Sequence, residues 1–325
     1  MQAPEFWFED DSILSRALEP VGRIVGAVTS WRAGRDGQPR APIPVVSVGG
    51  VTVGGSGKTP VAQSIADLVR EAGQVPAVVL RGYGGGLSGP VLVDPTVHTS
   101  ADVGDEALLH ARRVMTWVAV RRIAGVTEAA RAGATVAILD DGHQHPGLHK
   151  DLSILVVDGG DPFGNGRIVP AGPLREAPDV AARRAQALVI VGDDSTALAE
   201  RIPAHLALLR ARLEPGPEAL ALKGQRVVAF AGIGVPRKFF RALEKLGAVV
   251  VARHPFEDHY RFDLSDIQPI LDEAFALDAI PITTAKDAVR LPLDQRQQIN
   301  VLSTTLVWDN PPAVKALLAS AHRRG

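Results

Sequence analysis

A glycine-rich run carries the strongest chemical signal in the sequence. Residues 49–60 read GGVTVGGSGKTP, follow the apolar strand pattern 45–48 and open the helical pattern 60–72. In that context glycines turn backbone N–H groups toward phosphates, and the positive end of the helix strengthens the field. A lysine then reaches the β- and γ-phosphates, while a threonine hydroxyl binds Mg²⁺. The run therefore predicts a nucleotide loop made of Thr52, Val53, Gly54, Gly55, Ser56, Gly57, Lys58 and Thr59.

Two acidic pairs have the chemistry to work beside this loop. Asp140 and Asp141 directly follow the strand pattern 135–139. An acid at this place holds Mg²⁺ directly or through water in many nucleotide sites, but it is also often only a helix cap. Asp105 and Glu106 precede the helical pattern 107–114. Helix capping and a role at the phosphates, as proton acceptor or metal ligand, are equally compatible with this second pair.

Three histidines follow the Asp140–Asp141 pair closely. His143, His145 and His149 include a His-X-His spacing, which is one form of zinc site. The chain has no Cys, and no carboxylate stands at a matching spacing. We therefore favour residues at the rim of a site, or polar surface residues, over a zinc site.

Apolar runs alternate with helical patterns along most of the chain. The runs at 45–48, 77–80, 117–120, 135–139, 152–157 and 187–191 are apolar apart from Ser47, Thr135 and Ser153, as in strands buried on both faces of a parallel sheet. A second series has strand patterns at 227–230, 248–252, 280–284 and 301–307, with helical patterns at 239–246 and 264–275. Pro and Gly residues within 214–224 mark a boundary between them. The sequence predicts a P-loop NTPase-type three-layer α/β/α domain with a mostly parallel sheet over 41–215, and a smaller α/β domain over 225–325.

Residues 1–40 differ in character from the rest of the chain. Apolar residues recur at helical spacing between 14 and 31, arginines are scattered among them, and an aromatic cluster at 6–8 precedes them. We expect Pro20 to divide this segment into two short helices. The segment either packs its apolar stripe on the domain or lies as an amphipathic helix on an anionic membrane.

Composition excludes several classes of protein. The 325 residues carry 35 Lys and Arg against 36 Asp and Glu, and 35 − 36 gives a net charge of −1. This balance argues against a general nucleic-acid binder. The absence of Cys excludes disulfides, thiolate metal sites and Cys nucleophiles. No run of about 18 apolar residues is present, so no single helix is expected to span a bilayer.

Taken in chain order, the motifs resemble those of one family, the lipid A 4′-kinases (tetraacyldisaccharide 4′-kinases) of Gram-negative bacteria. The resemblance runs from about residue 45 to residue 291. The matching segments are 48–60, 81–84 (RGYG), 103–106 (VGDE), 140–145 (DDGHQH), 165–166 (NG), 170–176 (PAGPLRE), 231–234 (AGIG), 256–259 (FEDH) and 284–289 (TAKDAV). The nucleotide loop alone is not specific, whereas the full set is highly specific.

The resemblance implies a reaction and a set of residues. The reaction is ATP-dependent phosphorylation of the 4′-hydroxyl of tetraacyldisaccharide 1-phosphate, which makes lipid IVA in lipid A (lipopolysaccharide) biosynthesis, with ATP and Mg²⁺. The implied catalytic residues are Asp105 as base, His259 as its helper from the second domain, Asp141 and Lys58. The implied metal residues are Thr59, Asp140, Asp141, Glu106 and Gln144, and the implied substrate residues are Arg81, Asn165 and Arg175. The second domain would close over this site.

The sequence departs from the family pattern at four places. His143 stands where Phe is usual, Ala107 where Pro follows the acidic pair, and Gly50 where Asn is usual. These three are expected to change only the shape of the rim. Ala285 stands where Glu is common before Lys and Asp, so Lys286 receives no role.

Two other classes of function stay open on the sequence alone. A P-loop GTPase or metallochaperone-type NTPase reads guanine through Asn-Lys-X-Asp, and the nearest string, 285–287, has the wrong spacing. A membrane-surface ATPase would turn over ATP without forming a phosphorylated lipid.

The substrate class sets the expected location. A disaccharide with four acyl chains stays in the bilayer, so the enzyme must reach the membrane, and this favours the interfacial interpretation of residues 1–40. Basic side chains near an anionic leaflet contribute about 1 kcal/mol each. We expect a monomeric, peripheral (monotopic) protein at the cytoplasmic face of the inner membrane, with no nucleic-acid partner.

Overall fold

The computed structural model describes residues 4–9, 12–35 and 37–322. The helices are α1 (Ile13–Ala33), α2 (Lys58–Glu71), α3 (Ser100–Val103), α4 (Asp105–Ala111), α5 (Arg122–Arg131), α6 (Pro178–Arg183), α7 (Pro236–Lys245), α8 (Leu264–Ala276), α9 (Ala285–Ala288), α10 (Leu293–Arg296) and α11 (Pro311–His322). The strands are β1 (Val45–Gly49), β2 (Pro76–Leu80), β3 (Val91–Leu92), β4 (Met115–Val118), β5 (Val136–Asp140), β6 (Leu152–Asp158), β7 (Ala187–Val191), β8 (Ala207–Pro215), β9 (Arg226–Ala231), β10 (Val249–Pro255), β11 (Ile280–Thr284), β12 (Asn300–Leu302) and β13 (Thr304–Trp308). Short 3-10 helices cover Glu5–Phe8, Leu198–Glu200 and Pro217–Leu222.

The larger sheet has nine strands in the order β13-β8-β7-β6-β1-β5-β2-β4-β3. Only the edge strands run antiparallel, β3 against β4 and β13 against β8. Within β1, Val46 and Val48 share a core with Val61 of α2, while Val45 belongs to the core that contains Val126 of α5. Because alternate residues of one strand face opposite ways, helices cover both faces of the sheet. The predicted three-layer, mostly parallel fold is confirmed.

The smaller sheet has four parallel strands in the order β10-β9-β11-β12. Val227 of β9 packs with Leu243 of α7 on one face, and Phe230 packs with Ile267 of α8 on the other. The second unit is therefore α/β, as the sequence predicts, and the structure adds that helices cover both faces of its sheet.

Residues 301–307 form parts of two strands in different sheets, and the prediction of one strand there is wrong. The chain leaves the small sheet after Leu302, and β13 pairs with β8 of the large sheet. Trp308 joins the core of the large sheet and donates its indole N–H to Ser64 of α2 at 2.8 Å. The predicted limits 41–215 and 225–325 are therefore wrong for residues 304–322. The residue pattern of an edge strand shows which of its sides is apolar but not which sheet it joins.

Residues 13–33 form one helix, α1, and the prediction that Pro20 divides this part of the chain is also wrong. Ser15 and Gly22, on either side of Pro20, are both buried against the large unit. These contacts hold the two parts of the helix in line despite the hydrogen bond that a proline cannot donate. Within the described part of the chain, no helix has the length and apolar character needed to span a membrane.

Candidate active site

The carboxyl ends of the strands of both sheets supply the residues of the candidate site. In the large sheet, the nucleotide loop follows β1, Arg81 follows β2 and Asp140 ends β5. In the small sheet, Gly232 follows β9, His259 follows β10 and α9 follows β11. Parallel α/β sheets bind ligands at this edge. The contacts described below show that the two edges meet.

The nucleotide loop has the backbone shape that its glycines predict. Gly57 adopts φ of 85° immediately before α2, a left-handed conformation in which a side chain would be strained. Thr52 and Val53 lie against the segment that contains Leu174, with the N–H of Val53 donating to the carbonyl of Pro173 at 2.8 Å. Lys58 Nζ donates to the carbonyl of Gly54 at 3.1 Å. The lysine ammonium therefore lies over its own loop, where phosphate oxygens would be held.

Thr59 and Asp140 join the nucleotide loop to the end of β5. Thr59 Oγ1 lies 3.0 Å from Asp140 Oδ2 and donates to it. His110 Nε2 lies 2.8 Å from the same oxygen, and because an ionised carboxylate only accepts, the imidazole donates. His110 is fully buried on α4, the helix that begins with Asp105 and Glu106. His110 was not among the site residues predicted from the sequence, in which its one signal is its place on the same short helix.

Asp141 is held in a sparsely populated backbone conformation beside two cations. Its φ is 55°, and Arg175 Nη1 donates to Asp141 Oδ2 at 2.7 Å. Burial alone would raise the pKa of Asp141, but the charges of Lys58 and Arg175 outweigh burial and lower that pKa. Asp141 is therefore ionised next to the lysine of the loop, as its assigned role requires.

Oxygen atoms at the end of β5 and just after it fit a magnesium ion. Asp140 Oδ1, Asp141 Oδ1 and Gln144 Oε1 are buried oxygens without a hydrogen-bond partner in the structure. Oxygen ligands of this kind, few in number and completed by phosphates and water, are what Mg²⁺ prefers. The neighbouring Glu106 is desolvated and repelled by Asp140, which raises its pKa, so a divalent cation would offset a real excess of negative charge.

Asp105 and His259 form a pair across the two units. Asp105 Oδ2 lies 3.0 Å from His259 Nδ1, and since the carboxylate only accepts, Nδ1–H donates. Asp105 is 4% exposed, whereas the His259 side chain is 34% exposed and has φ of 60°. Burial would raise the pKa of Asp105, but the bond from His259 and the charges of Lys286, His259 and Arg290 together lower it to about 2. The structure brings together the two residues that the resemblance implies.

Three cationic residues near these carboxylates received no role from the sequence. Arg290 Nε lies 3.2 Å from Asp105 Oδ2, and Lys286 Nζ lies 3.9 Å from Glu106 Oε1. Arg122, at the start of α5, is buried, donates to the carbonyl of Ala119 at 2.6 Å and has its pKa lowered to about 10 by desolvation. Lys286 lies in the motif 284–289 and Arg290 directly follows it, but the residue pattern gave none of the three cations a role.

The three residues that were expected to bind the substrate have different surroundings. Arg81 is exposed at the end of β2, close enough to Arg122 for the two charges to interact. Arg175 is paired with Asp141. Asn165 lies against the N-terminal segment, where its amide N–H groups donate to the carbonyls of Phe6 and Ala171 and to Ser15 Oγ at 3.0–3.1 Å. Its Oδ1 accepts from the N–H of Arg167 at 3.1 Å, so the protein itself uses the polar groups of Asn165 and gives this side chain an anchoring role.

The histidines after Asp141 do not form a metal cluster. His143 is buried, not at the rim; its ring nitrogens lie 2.9 Å from Ser153 Oγ and 3.2 Å from the carbonyl of Ala181. Desolvation lowers the pKa of His143 to about 3 and that of His145 to about 4. In residues 4–9, 12–35 and 37–322 no three His, Asp or Glu side chains are arranged to hold a metal ion by themselves. A magnesium ion bound with the help of Thr59, Gln144 and phosphate oxygens would not need such a cluster.

Comparison with known proteins gives a consistent result. Residues 14–323 match the family described as tetraacyldisaccharide-1-P 4′-kinase. A tetraacyldisaccharide 4′-kinase of Rhodospirillum rubrum is 55% identical over 322 residues, covering 98% of this chain and 97% of the relative. One from Rhodospirillum centenum is 48% identical over 324 residues, covering 98% and 96%. The crystal structure of LpxK from Aquifex aeolicus in complex with ATP superposes with a TM-score of 0.75 at 27% identity, covering 95% of this chain and 100% of the other.

Proposed function

This chain belongs to the tetraacyldisaccharide-1-phosphate 4′-kinase family, and we infer that its site transfers the γ-phosphoryl group of ATP to the 4′-hydroxyl of a tetraacylated disaccharide 1-phosphate. The product is lipid IVA, an intermediate of lipid A biosynthesis. One observation carries the assignment: the nucleotide loop with Thr59 and Asp140, and the cross-unit pair Asp105–His259, lie at the same edge of the large sheet. The comparisons lend no support to a GTPase or metallochaperone.

The loop supplies binding and charge for the nucleotide. The intraloop contact of Lys58 with the Gly54 carbonyl is one that β- and γ-phosphate oxygens would replace. Thr59, Asp140, Asp141 and Gln144 would hold Mg²⁺, with Glu106 beside them, and a bound ion would offset the charge that develops on the transferred group. Asp141 stays ionised at this position because Lys58 and Arg175 stabilise its charge.

Asp105 and His259 handle the proton of the accepting hydroxyl. Phosphoryl transfer passes through a loose transition state, in which the hydroxyl loses its proton late, so a positioned carboxylate of low pKa is sufficient. The hydrogen bond from His259 fixes the orientation of the Asp105 carboxylate. His259 is the more exposed partner, and its Nε2 does not share the Asp105 contact. The pair therefore acts as one proton-accepting unit in this proposal.

The substrate contacts are part of the same proposal. Arg81, exposed beside Arg122 at the carboxyl edge of the large sheet, is the candidate for anionic groups of the lipid. Arg175 is available to an anion only if it releases Asp141. All of these residues come from one chain, so the proposed site does not need a second copy. The monomeric state stays a prediction.

Helix α1 is the proposed membrane contact. Its four buried residues are small: Ser15, Gly22, Gly26 and Ala33. Its large apolar side chains are instead exposed, namely Ile13, Leu14, Val21, Ile24, Val28 and Trp31. At 3.6 residues per turn these six fall on the side of the helix opposite the four buried residues. An apolar face turned away from the protein supports peripheral membrane binding over packing of the stripe on the domain. The membrane we propose is the inner membrane, at its cytoplasmic face.

One experiment tests the proposed function directly. The protein is incubated with γ-labelled ATP and tetraacyldisaccharide 1-phosphate in mixed micelles, and the lipids are separated by chromatography. We expect label in a lipid with one additional phosphate at the 4′ position. ATP hydrolysis that leaves the lipid unlabelled would instead identify a membrane-surface ATPase.

A further inference from the structure

Arg290 is a buried cation at the junction of the two units. The residue follows α9, its side chain is 2% exposed, and its Nε lies 3.2 Å from Asp105 Oδ2. Its Nη1 donates to the carbonyl of Gly232 at 2.9 Å and to that of Tyr260 at 3.1 Å. One guanidinium therefore contacts a carboxylate of the large unit and two backbone carbonyls of the small unit.

The side chain of Arg290 is itself held by Asp287. Asp287 Oδ1 lies 3.4 Å from Arg290 Nη1 and accepts the N–H of Gly232 at 3.0 Å. Asp287 Oδ2 accepts the hydroxyl of Thr284 at 2.6 Å. Since Asp287 is fully buried, its charge requires a cation close by. The contact with Asp287 therefore fixes the orientation of the Arg290 guanidinium beside Asp105.

Both carbonyls that accept hydrogen bonds from Arg290 are connected to His259, one through a hydrogen bond and the other through the chain. The carbonyl of Gly232 accepts both the N–H of His259, at 3.1 Å, and Nη1 of Arg290. Tyr260 is the next residue in the chain. Arg290 therefore touches Asp105 directly and the His259 loop through its backbone. The guanidinium fork offers this number of contacts in a rigid plane, which a lysine ammonium does not.

We propose that Arg290 is the positioning residue of the Asp105–His259 pair, which it aligns by binding Asp105 and the His259 loop at once. The inference rests on the proposed function of that pair in phosphoryl transfer. Other charged groups also face Asp105: His259 and Lys286 from the small unit, and Glu106 from its own helix. Among these, Arg290 alone is shown to bridge Asp105 and the backbone that carries His259.

Arg296 provides a matched control. It lies on α10, and its guanidinium donates to the carbonyls of Val289 and Leu291 at 3.0 and 3.4 Å. Arg296→Gln therefore removes a partly buried arginine that binds backbone carbonyls of the same segment. These two hydrogen bonds go to backbone carbonyls and not to Asp105, so this variant reports the cost of losing structural hydrogen bonds alone.

The activity test compares Arg290→Gln, Arg290→Lys and Arg296→Gln, and repeats Arg290→Gln in an Asp105→Asn background. We expect Arg290→Gln to lower kcat about 10- to 100-fold with little change in KM for ATP, because a misplaced proton acceptor affects the chemical step. Arg290→Lys should recover part of the loss, and Arg296→Gln should remain near wild type. In the Asp105→Asn background, Arg290→Gln should cost almost nothing further. An equal loss in both backgrounds would overturn the proposal.

A second measurement does not depend on activity. In ¹⁵N-histidine spectra, with His259→Gln to assign the signal, the Nδ1 proton of His259 should be protected from exchange in wild type and in Arg296→Gln. The protection should fall in Arg290→Gln and partly return in Arg290→Lys. A wild type that phosphorylates no lipid would refute the proposed function, while unchanged protection in Arg290→Gln would refute the role of Arg290. If Arg290→Gln does not fold, the same comparisons are made with Arg290→Lys.

Discussion

Asp105 Oδ2 and His259 Nδ1 lie 3.0 Å apart although 154 residues separate them in the chain. Asp105 begins α4 of the large unit, and His259 follows β10 of the small unit. The bond therefore exists only while the two carboxyl edges are in contact, and it couples the relative position of the units to the geometry of the site.

Asp105→Ala should lower kcat by about 10²–10⁴ with little change in ATP affinity, because a positioned proton acceptor is lost. His259→Ala should cost less, since the carboxylate remains. The double variant should fall short of the product of the two losses, as both residues serve one proton transfer. Steady-state kinetics with the lipid acceptor measure this, and strictly multiplicative losses would show independent roles.

Lys58→Ala should reduce phosphoryl transfer by about 10²–10³, because a charge that stabilises the transferring phosphates is removed. The matched control is Lys223→Ala, which replaces an exposed lysine shortly before β9 and should have no effect. Circular dichroism confirms that both variants are folded. Normal transfer by folded Lys58→Ala would remove the assignment of the nucleotide loop.

Replacing Ile24 and Val28 together by Glu should weaken association with anionic liposomes, because it places two charges on the exposed apolar face of α1. ATP binding should be unchanged. The control replaces Leu220 and Phe275 by Glu; both are highly exposed apolar residues outside α1, so the chemistry and net charge match. Co-sedimentation gives the result, and equal binding by the two double variants would contradict the proposed contact.

Gly22→Ala should destabilise the docking of α1 more than Gly26→Ala. A Cβ on Gly22 would lie 2.5 Å from the backbone carbonyl oxygen of Ile168, whereas one on Gly26 would meet the Cδ1 atom of the Ile168 side chain, which is able to rotate away. Alanine otherwise favours a helix by about 1 kcal/mol over glycine, so Gly26→Ala should be near neutral. Limited proteolysis of α1 distinguishes the variants, and equal cleavage would mean that α1 does not dock through this contact.

Lys150 should make the free energy of unfolding rise with pH above 8. Desolvation, with repulsion from Arg184, lowers its pKa to about 8 from 10.5. Between these values the unfolded chain binds the additional proton, so alkali favours the folded state. The test is denaturant unfolding of wild type and Lys150→Met. The free energy of unfolding of wild type, relative to that of Lys150→Met, should increase by at most about 3 kcal/mol between pH 8 and 10.5. A difference that falls over this range would show that Lys150 is not desolvated.

Residue patterns predict the local features of this molecule better than its long-range ones. The nucleotide loop and the strand that ends in Asp140 are set by neighbours in sequence, through glycine conformation and apolar runs. Arg290 and His110 have no such signature, because their partners are 185 and 30 residues away (290 − 105 and 140 − 110). Asn165 lies in a motif that the family resemblance identifies, but only the fold shows that its amide donates to the N-terminal segment.

The return of the chain to the large sheet through β13 has a consequence for synthesis. Helix α2, which begins with Lys58, shares its core with Trp308, Val314 and Leu318, and all three are translated after the entire small unit. A nascent chain that has completed residues 41–215 therefore holds every residue of the nucleotide loop but lacks part of the surface on which its helix packs. Domains generally fold as units while the chain emerges. Here the small unit must emerge, and can form its own core, before the large unit is complete.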